Sequence, residues 1–184
     1  LNLENNHISL LKVKNTEVRE DSTSIANLTD KPMKVTFRNV PKHLSVAAVP
    51  ETLQPNQKGK IVVKYDATKR SEWGFVMDRV TVAINDDTNN NKNLLSVSAT
   101  IEEDFSKYTP EQLENAPKLV FEETSFNFGS ITEGEKVNHT FKFRNDGKQD
   151  LYIRKISTSC GCTAVNNKTN IIKPGESSSI DITF

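Results

Sequence analysis

The chain has 184 residues with 24 Lys and Arg against 24 Asp and Glu, a formal net charge of zero and a pI near 7.0. That balance leaves no basic footprint for nucleic acid or an anionic membrane surface, and no apolar run fits a signal peptide or a transmembrane helix. With 35% hydrophobic and 26% charged residues, the length permits one large or two small cores. Leu1 is not an initiator Met, so the chain reads as a piece of something longer.

Short alternating runs broken by Asn, Asp, Gly, Pro and Lys clusters dominate the first half, and helical periodicity is nearly absent. This is the pattern of a β-sandwich. The expected strands are Ile8–Lys14, Thr23–Asn27, Lys34–Val40, Val46–Val49, Lys60–Tyr65, Phe75–Ile84 and Leu94–Ile101. Lys58, Lys60 and Lys64 should form a solvated strand face. Trp73 and Phe75, at a strand entrance, are expected to pack the core rather than to form a ligand platform. In the long run from Phe75, Phe75 and Met77 share one phase while Val80, Val82 and Ile84 share the other. An extra residue near Asp78-Arg79 would restore a single face, so a bulge is predicted there. Asp86 to Asn91 reads as a polar hairpin loop.

Residues 104–117 form a linker. Thr109 is a good N-cap, Pro110 suits the first helical position, and Asn115 with Ala116-Pro117 ends the run, which predicts a short helix over Pro110–Asn115. Beyond it the first pattern returns. Asn27 to Val35 lies over Asn145 to Ile153, and Leu53-Gln-Pro55 with Ile61 to Tyr65 lies over Ile172-Lys-Pro174 with Ile180 to Phe184. The offset is about 118 residues with one residue of slip, the sign of a tandem repeat. The first copy runs on through two more strands to Ile101, whereas the second reaches only Phe184. By this analogy about 35 residues carrying two strands are missing. Phe141, Phe143, Leu151, Ile153, Ile180 and Ile182 would then line an uncovered core. A chain ending at Phe184 is expected either to self-associate through its second domain or to be part of a longer chain.

Phe128-Gly129, the turn Asn145-Asp146-Gly147, Cys160-Gly161-Cys162-Thr163 and the turn Pro174-Gly175-Glu176 together resemble the bacterial domain of unknown function 1573 family. The resemblance covers Leu119 to Phe184, and the first copy is similar to a divergent repeat without the cysteines, with Lys42 and His43 near their alignment position. It implies an immunoglobulin-like sandwich similar to pilus-chaperone-like domains. It also implies an exported bacterial protein with several repeats, often from the Bacteroides group, and no established activity. The fold expected is therefore all-β: two tandem immunoglobulin-like β-sandwiches, residues 1–103 and 118–184, joined by the short helical linker, the second one incomplete.

Cys160 and Cys162 are the only cysteines. Two residues apart in an extended strand, their Cα atoms would lie about 6.5–7 Å apart, beyond the comfortable range for a disulfide. The pair is expected to be reduced or only weakly bonded, although Gly161 could allow a tight, strained closure. Three readings stay open: small packed side chains, a redox-active or partner-linking thiol pair, or a soft-metal site for Cu(I) or zinc. Zinc would need two further ligands. The histidines His7, His43 and His139 carry no catalytic pattern, and Ser177-Ser178-Ser179 merely starts a strand. Asn27, Asn138 and Asn167 begin Asn-x-Thr triplets, taken as chance in a bacterial chain, and Asp21-Ser22-Thr23 weakly matches an O-glycan acceptor. No catalytic, cofactor-binding or metal-binding residue is assigned.

The expected role is non-catalytic: an extracytoplasmic structural or protein-binding module, in the periplasm or at the cell surface. Its partners would be other proteins or neighbouring repeats of the same protein, with no nucleic acid and no membrane insertion by this segment. The alternative is a thiol-redox or copper-handling envelope protein using Cys160 and Cys162.

Overall fold

The computed structural model describes residues 1–87, 93–158, 164–167 and 169–184. It divides into two units, Leu1–Phe105 and Ser106–Phe184.

The first unit runs β1 (Asn2–Leu3), β2 (His7–Lys14), β3 (Val18–Ala26), β4 (Met33–Arg38), β5 (Leu44–Val49), β6 (Thr52–Leu53), β7 (Lys58–Asp66), a 3-10 turn (Ala67–Lys69), β8 (Gly74–Ile84) and β9 (Leu94–Glu102). One sheet has the order β1-β3-β7-β5 and the other β2-β9-β8-β4-β6. All neighbours are antiparallel except β2 and β9, which run parallel. Between the sheets lies an aliphatic core that includes Ile8, Leu10, Ile61, Val63, Val80, Val82, Leu95 and Val97. Each strand sends alternate residues into it, and Lys58, Lys60 and Lys64 point out from β7 into solvent.

The predicted bulge at Asp78-Arg79 is absent. Strand β8 pairs with β9 without a break from Gly74↔Ile101 to Thr81↔Leu94. The phase change has another cause. Val76, Asp78, Val80 and Val82 all face inward, so the break in the apolar alternation is an acid in the core rather than an inserted residue. Phe75 and Met77 face outward, and Phe75 is 58% exposed. Its expected core role is therefore wrong, whereas Trp73 does pack against the core. The register shift of this sheet lies instead in β2, between Ser9 and Lys12, where Leu11 adopts φ 56°. Of the expected polar hairpin loop, only Asp86 and Asp87 lie within the described residues.

The second unit contains α1 (Pro110–Glu114), β10 (Leu119–Phe121), β11 (Asn138–Asn145), β12 (Leu151–Tyr152), β13 (Ala164–Asn167), β14 (Ile171–Ile172) and β15 (Ser177–Thr183). The helix starts where the sequence predicts. Thr109 and Gln112 form a reciprocal capping box, and Asn115 is the C-cap. The main sheet has the order β10-β11-β15-β13, and β12 pairs with β14. This repeats β1-β3-β7-β5 and the β4–β6 pair of the first unit. The offset is 118 early in the copy (Leu151 − Met33) and 119 later (Ile172 − Leu53), as their pairings Met33↔Leu53 and Leu151↔Ile172 show. Residues 125–132 fall at the position of β2 (7 + 118 = 125) but are not in a strand. Among the described residues nothing in this unit stands where β8 and β9 stand in the first.

One buried amide organises each copy. Asn27 donates from Nδ2 to the carbonyls of Lys31, Leu53 and Gln54 at 2.8, 3.0 and 3.1 Å, and its Oδ1 accepts from the backbone of Thr29 at 3.0 Å. Asn145 donates to Gln149 O at 2.7 Å and Ile172 O at 3.0 Å, and accepts from Gly147 N and Lys118 N, both at 3.0 Å. Both asparagines are 0% exposed. An amide has two donors and an acceptor with two lone pairs, so one side chain satisfies several loop backbone groups that the core could not leave unpaired. Gly147 is required here because a Cβ would lie within 2.5 Å of Lys118 N and Pro117 Cα. The turns Gln54–Gln57 and Lys173–Glu176 match as well, each closed by its last residue's side chain on the first residue's N–H.

Candidate functional site

The two units differ most at the end away from these asparagines. In the first unit that end is plugged by charge. His43, before β5, Arg70, after the 3-10 turn, and Asp78, on β8, bring their side chains together with about a tenth or less of each exposed. Arg70 Nη1 donates to Asp78 Oδ2 at 2.5 Å, and His43 Nε2 lies 2.9 Å from the same oxygen and 2.6 Å from Arg70 Nη1. Arg70 also reaches Glu72 at 2.6 Å. Tyr65 lies beneath, its ring 5.2 Å from that of His43 and its hydroxyl close to Arg70 without a well-formed hydrogen bond. Burial pushes the Tyr65 hydroxyl pKa above its ordinary value, and the surrounding anions hold Arg70 firmly charged despite its desolvation. Buried pairs of this kind fix geometry more than they add stability. Together these side chains plug that end of the first unit.

In the second unit the same end is an apolar surface. Along β11 the inner residues are Phe143, Phe141 and His139, paired with Ser178, Ile180 and Ile182 of β15. Phe143 is buried, Phe141 and His139 are half-buried, and Phe184, aligned with the wholly buried Tyr65 (184 − 119 = 65), is 45% exposed. Exposure therefore grows from the asparagine end outward. Residues 125–132 cross this face without strand structure. Phe126 stacks on His139 at 3.7 Å between ring centroids and 11° between planes, and Phe128 and Phe141 approach the same imidazole edge to face. His139 Nε2 lies 2.7 Å from Glu123 Oε1. Beside it Phe121, Glu123, Thr124, Phe141 and Ile180 line an apolar cleft of about 220 Å³. Phe126 keeps 47% of its surface exposed, against 4% for Ile8 at the aligned position (126 − 118 = 8).

The residues singled out from the sequence do not converge. Cys160 and Cys162 lie outside the described residues, so their pairing is not seen. His7 reaches Ser98 Oγ at 2.7 Å on the first unit's outer face, far along the chain from the other histidines. Ser177 is exposed, Ser178 half-buried and Ser179 buried. Asn27 of its triplet is buried and accepts at Oδ1 from the Thr29 hydroxyl, and Thr23 of the Asp21 triplet is buried and donates to Asn5 O. Among the described residues no group of three or more His, Cys, Asp or Glu side chains is placed to hold a metal ion, and no described helix is long and apolar enough to cross a membrane. Sequence reasoning missed the His43–Arg70–Asp78 plug, whose signal is an acid at an inward position of an aliphatic strand. It also missed the grouping of Phe126 and Phe128 with His139, whose signal is aromatic alternation ahead of β11.

Residues 119–184 carry a domain of the family described as a protein of unknown function, DUF1573. That span covers β10 to β15. Among solved structures, a protein of unknown function from Porphyromonas gingivalis W83 superposes with a TM-score of 0.69 at 15% identity, over 99% of this chain and 81% of that one. The shared fold is an all-β immunoglobulin-type sandwich followed by a smaller sheet region. Looser likenesses reach the Pseudomonas aeruginosa CupB2 chaperone, with a TM-score of 0.37 at 8% identity over 97% and 87% of the two chains. The E. coli chaperone DraB gives 0.39 at 12% identity over 97% and 84%. No curated protein matches the chain.

Proposed function

We propose that this protein is a non-catalytic, extracytoplasmic protein-binding module, and that it binds through the inner face of its second unit. The observation that carries this reading is that Phe126 and Phe184 are exposed, and Phe128 and Phe141 only half-buried, at positions whose counterparts in the first copy are buried. A soluble β-sheet gains little from solvating aromatic residues on its core side; covering them with another polypeptide recovers that burial. The external placement follows the Phe-Gly, Asn-x-Gly and Pro-Gly-Glu turns that tie residues 119–184 to their family. A photo-crosslinking amino acid at position 141, with position 64 on the solvated face of β7 as control, tests the reading in cells. A discrete polypeptide adduct at 141 alone is expected. Equal labelling at both positions, or none at 141, would overturn it.

A further inference from the structure

The outermost strand of a sheet presents unpaired N–H and C=O groups to any passing chain, and proteins blunt such edges by shortness, bulges or charge. Three edges of the first unit are blunted in this way. Strands β1 and β6 have two residues each, and β2 carries the register shift between Ser9 and Lys12 along with the charges of Lys12 and Lys14. Strand β5 is the exception. It ends its sheet, pairs with β7 without a break from Leu44↔Tyr65 to Val49↔Lys60, and has no charged residue. Its side away from β7 has no strand partner among the described residues. Val35, Phe37 and Val40 on one side and Val46 and Ala48 on the other line a groove of about 360 Å³ along it. Glu51, which also borders the groove, is paired with Lys34 at 3.5 Å.

The outer face of the same edge is basic. Lys64 of β7 lies opposite Ser45 and Lys60 opposite Val49, with Ala47 between them on β5. Both lysines are exposed and neither makes an ion pair among the described residues, although Glu20 of β3 is the residue across from Lys64. Ser45 and Ala47 are short, so a lysine stem can lie over β5 and bring its ammonium to the next strand position, about 4.8 Å further out. We propose that the free edge of β5 receives an extended segment of a separate, acidic polypeptide as a fifth strand of this sheet. Its alternate side chains are apolar, set into the groove, and carboxylates, set over Lys60 and Lys64. Strand addition of this type takes affinity from main-chain hydrogen bonds and specificity from alternate side chains. A second copy of this chain is a poor occupant, because its β5 would bring another Lys60 and Lys64 to the side that calls for anions. The first unit is already closed, with Ile61, Val63 and Tyr65 all 0% exposed, so the added strand is a ligand and completes no part of the fold.

The probe is a labelled decapeptide that alternates valine and glutamate, compared with a block peptide of the same composition. Titration of the 184-residue chain by fluorescence anisotropy should show saturable binding that weakens with added salt, because the ion pairs are exposed. The block peptide should bind at least tenfold more weakly, and hydrogen exchange should slow along Leu44–Val49. Lys60→Glu combined with Lys64→Glu changes only exposed side chains. It should abolish binding of the glutamate peptide and create binding of its valine–lysine counterpart, whereas Lys142→Glu, exposed on β11, should do neither. Ala47→Glu, which sets an anion on β5 itself, should weaken the glutamate peptide about tenfold. No binding, equal binding of the alternating and block peptides, indifference to the charge reversal, or protection only outside β5 would each overturn the inference. Dimerisation of the chain that Ala47→Glu abolishes would give the edge to a second copy and overturn it too. A crosslinker at position 64 replaces Lys64 and so removes an anchor of this edge. The crosslink at position 141 therefore reports on the second unit's face independently of these outcomes.

Discussion

The two units are built from one pattern and finished differently. Both carry the four-stranded sheet, the short second pair and the buried asparagine. In the first, a second sheet closes over Ile61 and Val63 until neither has exposed surface; in the second, the aligned Ile180 and Ile182 remain half-buried. The asparagine end of the second unit is nevertheless closed, with Phe143 and Ile172 each 1% exposed. The contrast separates two kinds of stabilisation. Turn closure by a side-chain amide is local and survives without the opposite sheet. Core burial is collective, about 1.5–3 kcal/mol for each large aliphatic side chain, and needs both faces.

The largest expected effect tests the plug that only the first unit has. Arg70→Met removes the guanidinium from a buried Asp78, leaving only His43 beside it, and should cost about 3–5 kcal/mol, whereas Arg70→Met combined with Asp78→Leu should recover most of that. Chemical denaturation followed by Trp73 fluorescence, which reports the first unit, checks both. A single variant costing no more than the double would mean that water reaches the cluster.

Next come the asparagines. Asn27→Ala and Asn145→Ala should each cost on the order of 2–4 kcal/mol, because each strands several buried backbone groups. Similar costs in the two units, read by hydrogen exchange in β7 and β15, would confirm that the amide works without a second sheet. If Asn145→Ala proved silent, the equivalence of the two turns would fail.

Cavity formation sharpens the comparison further. Ile61→Ala should destabilise the first unit by about 2–5 kcal/mol, while Ile180→Ala should cost roughly 1 kcal/mol, since the side chain is already partly solvated. Equal losses would show that the second unit's face is covered in solution.

The smallest effect is a pH dependence confined to one unit. Burial raises the pKa of Tyr65, so the folded form holds its phenolic proton more tightly than the unfolded chain. The stabilisation is complete below the unfolded value of about 10 and is lost as pH rises from there through the folded value. The aligned residue in the second unit is Phe184, which does not ionise. Melting of the first unit should therefore soften above about pH 10, and Tyr65→Phe should flatten that slope. An unchanged slope would assign the alkaline sensitivity elsewhere.

Alternation and punctuation alone placed seven of the nine strands of the first half, missing the two-residue β1 and β6 and starting β3 late, together with the capped helix and the offset of the repeat, because these depend on local backbone preferences and the two-residue period of a pleated strand. What alternation could not decide was which way an ambiguous strand faces. Phe75 and Met77 looked like core because they are apolar, and Asp78 looked like an interruption because it is charged. Only the packed structure, where Arg70 from the segment before β8 and His43 from the loop before β5 meet that acid, turns Asp78 inward and Phe75 out. The aromatic face of the second unit was hidden for the same reason. Whether Phe126 is core or surface depends on whether another strand lies against it, and that contact is a property of tertiary assembly rather than of any local run of residues.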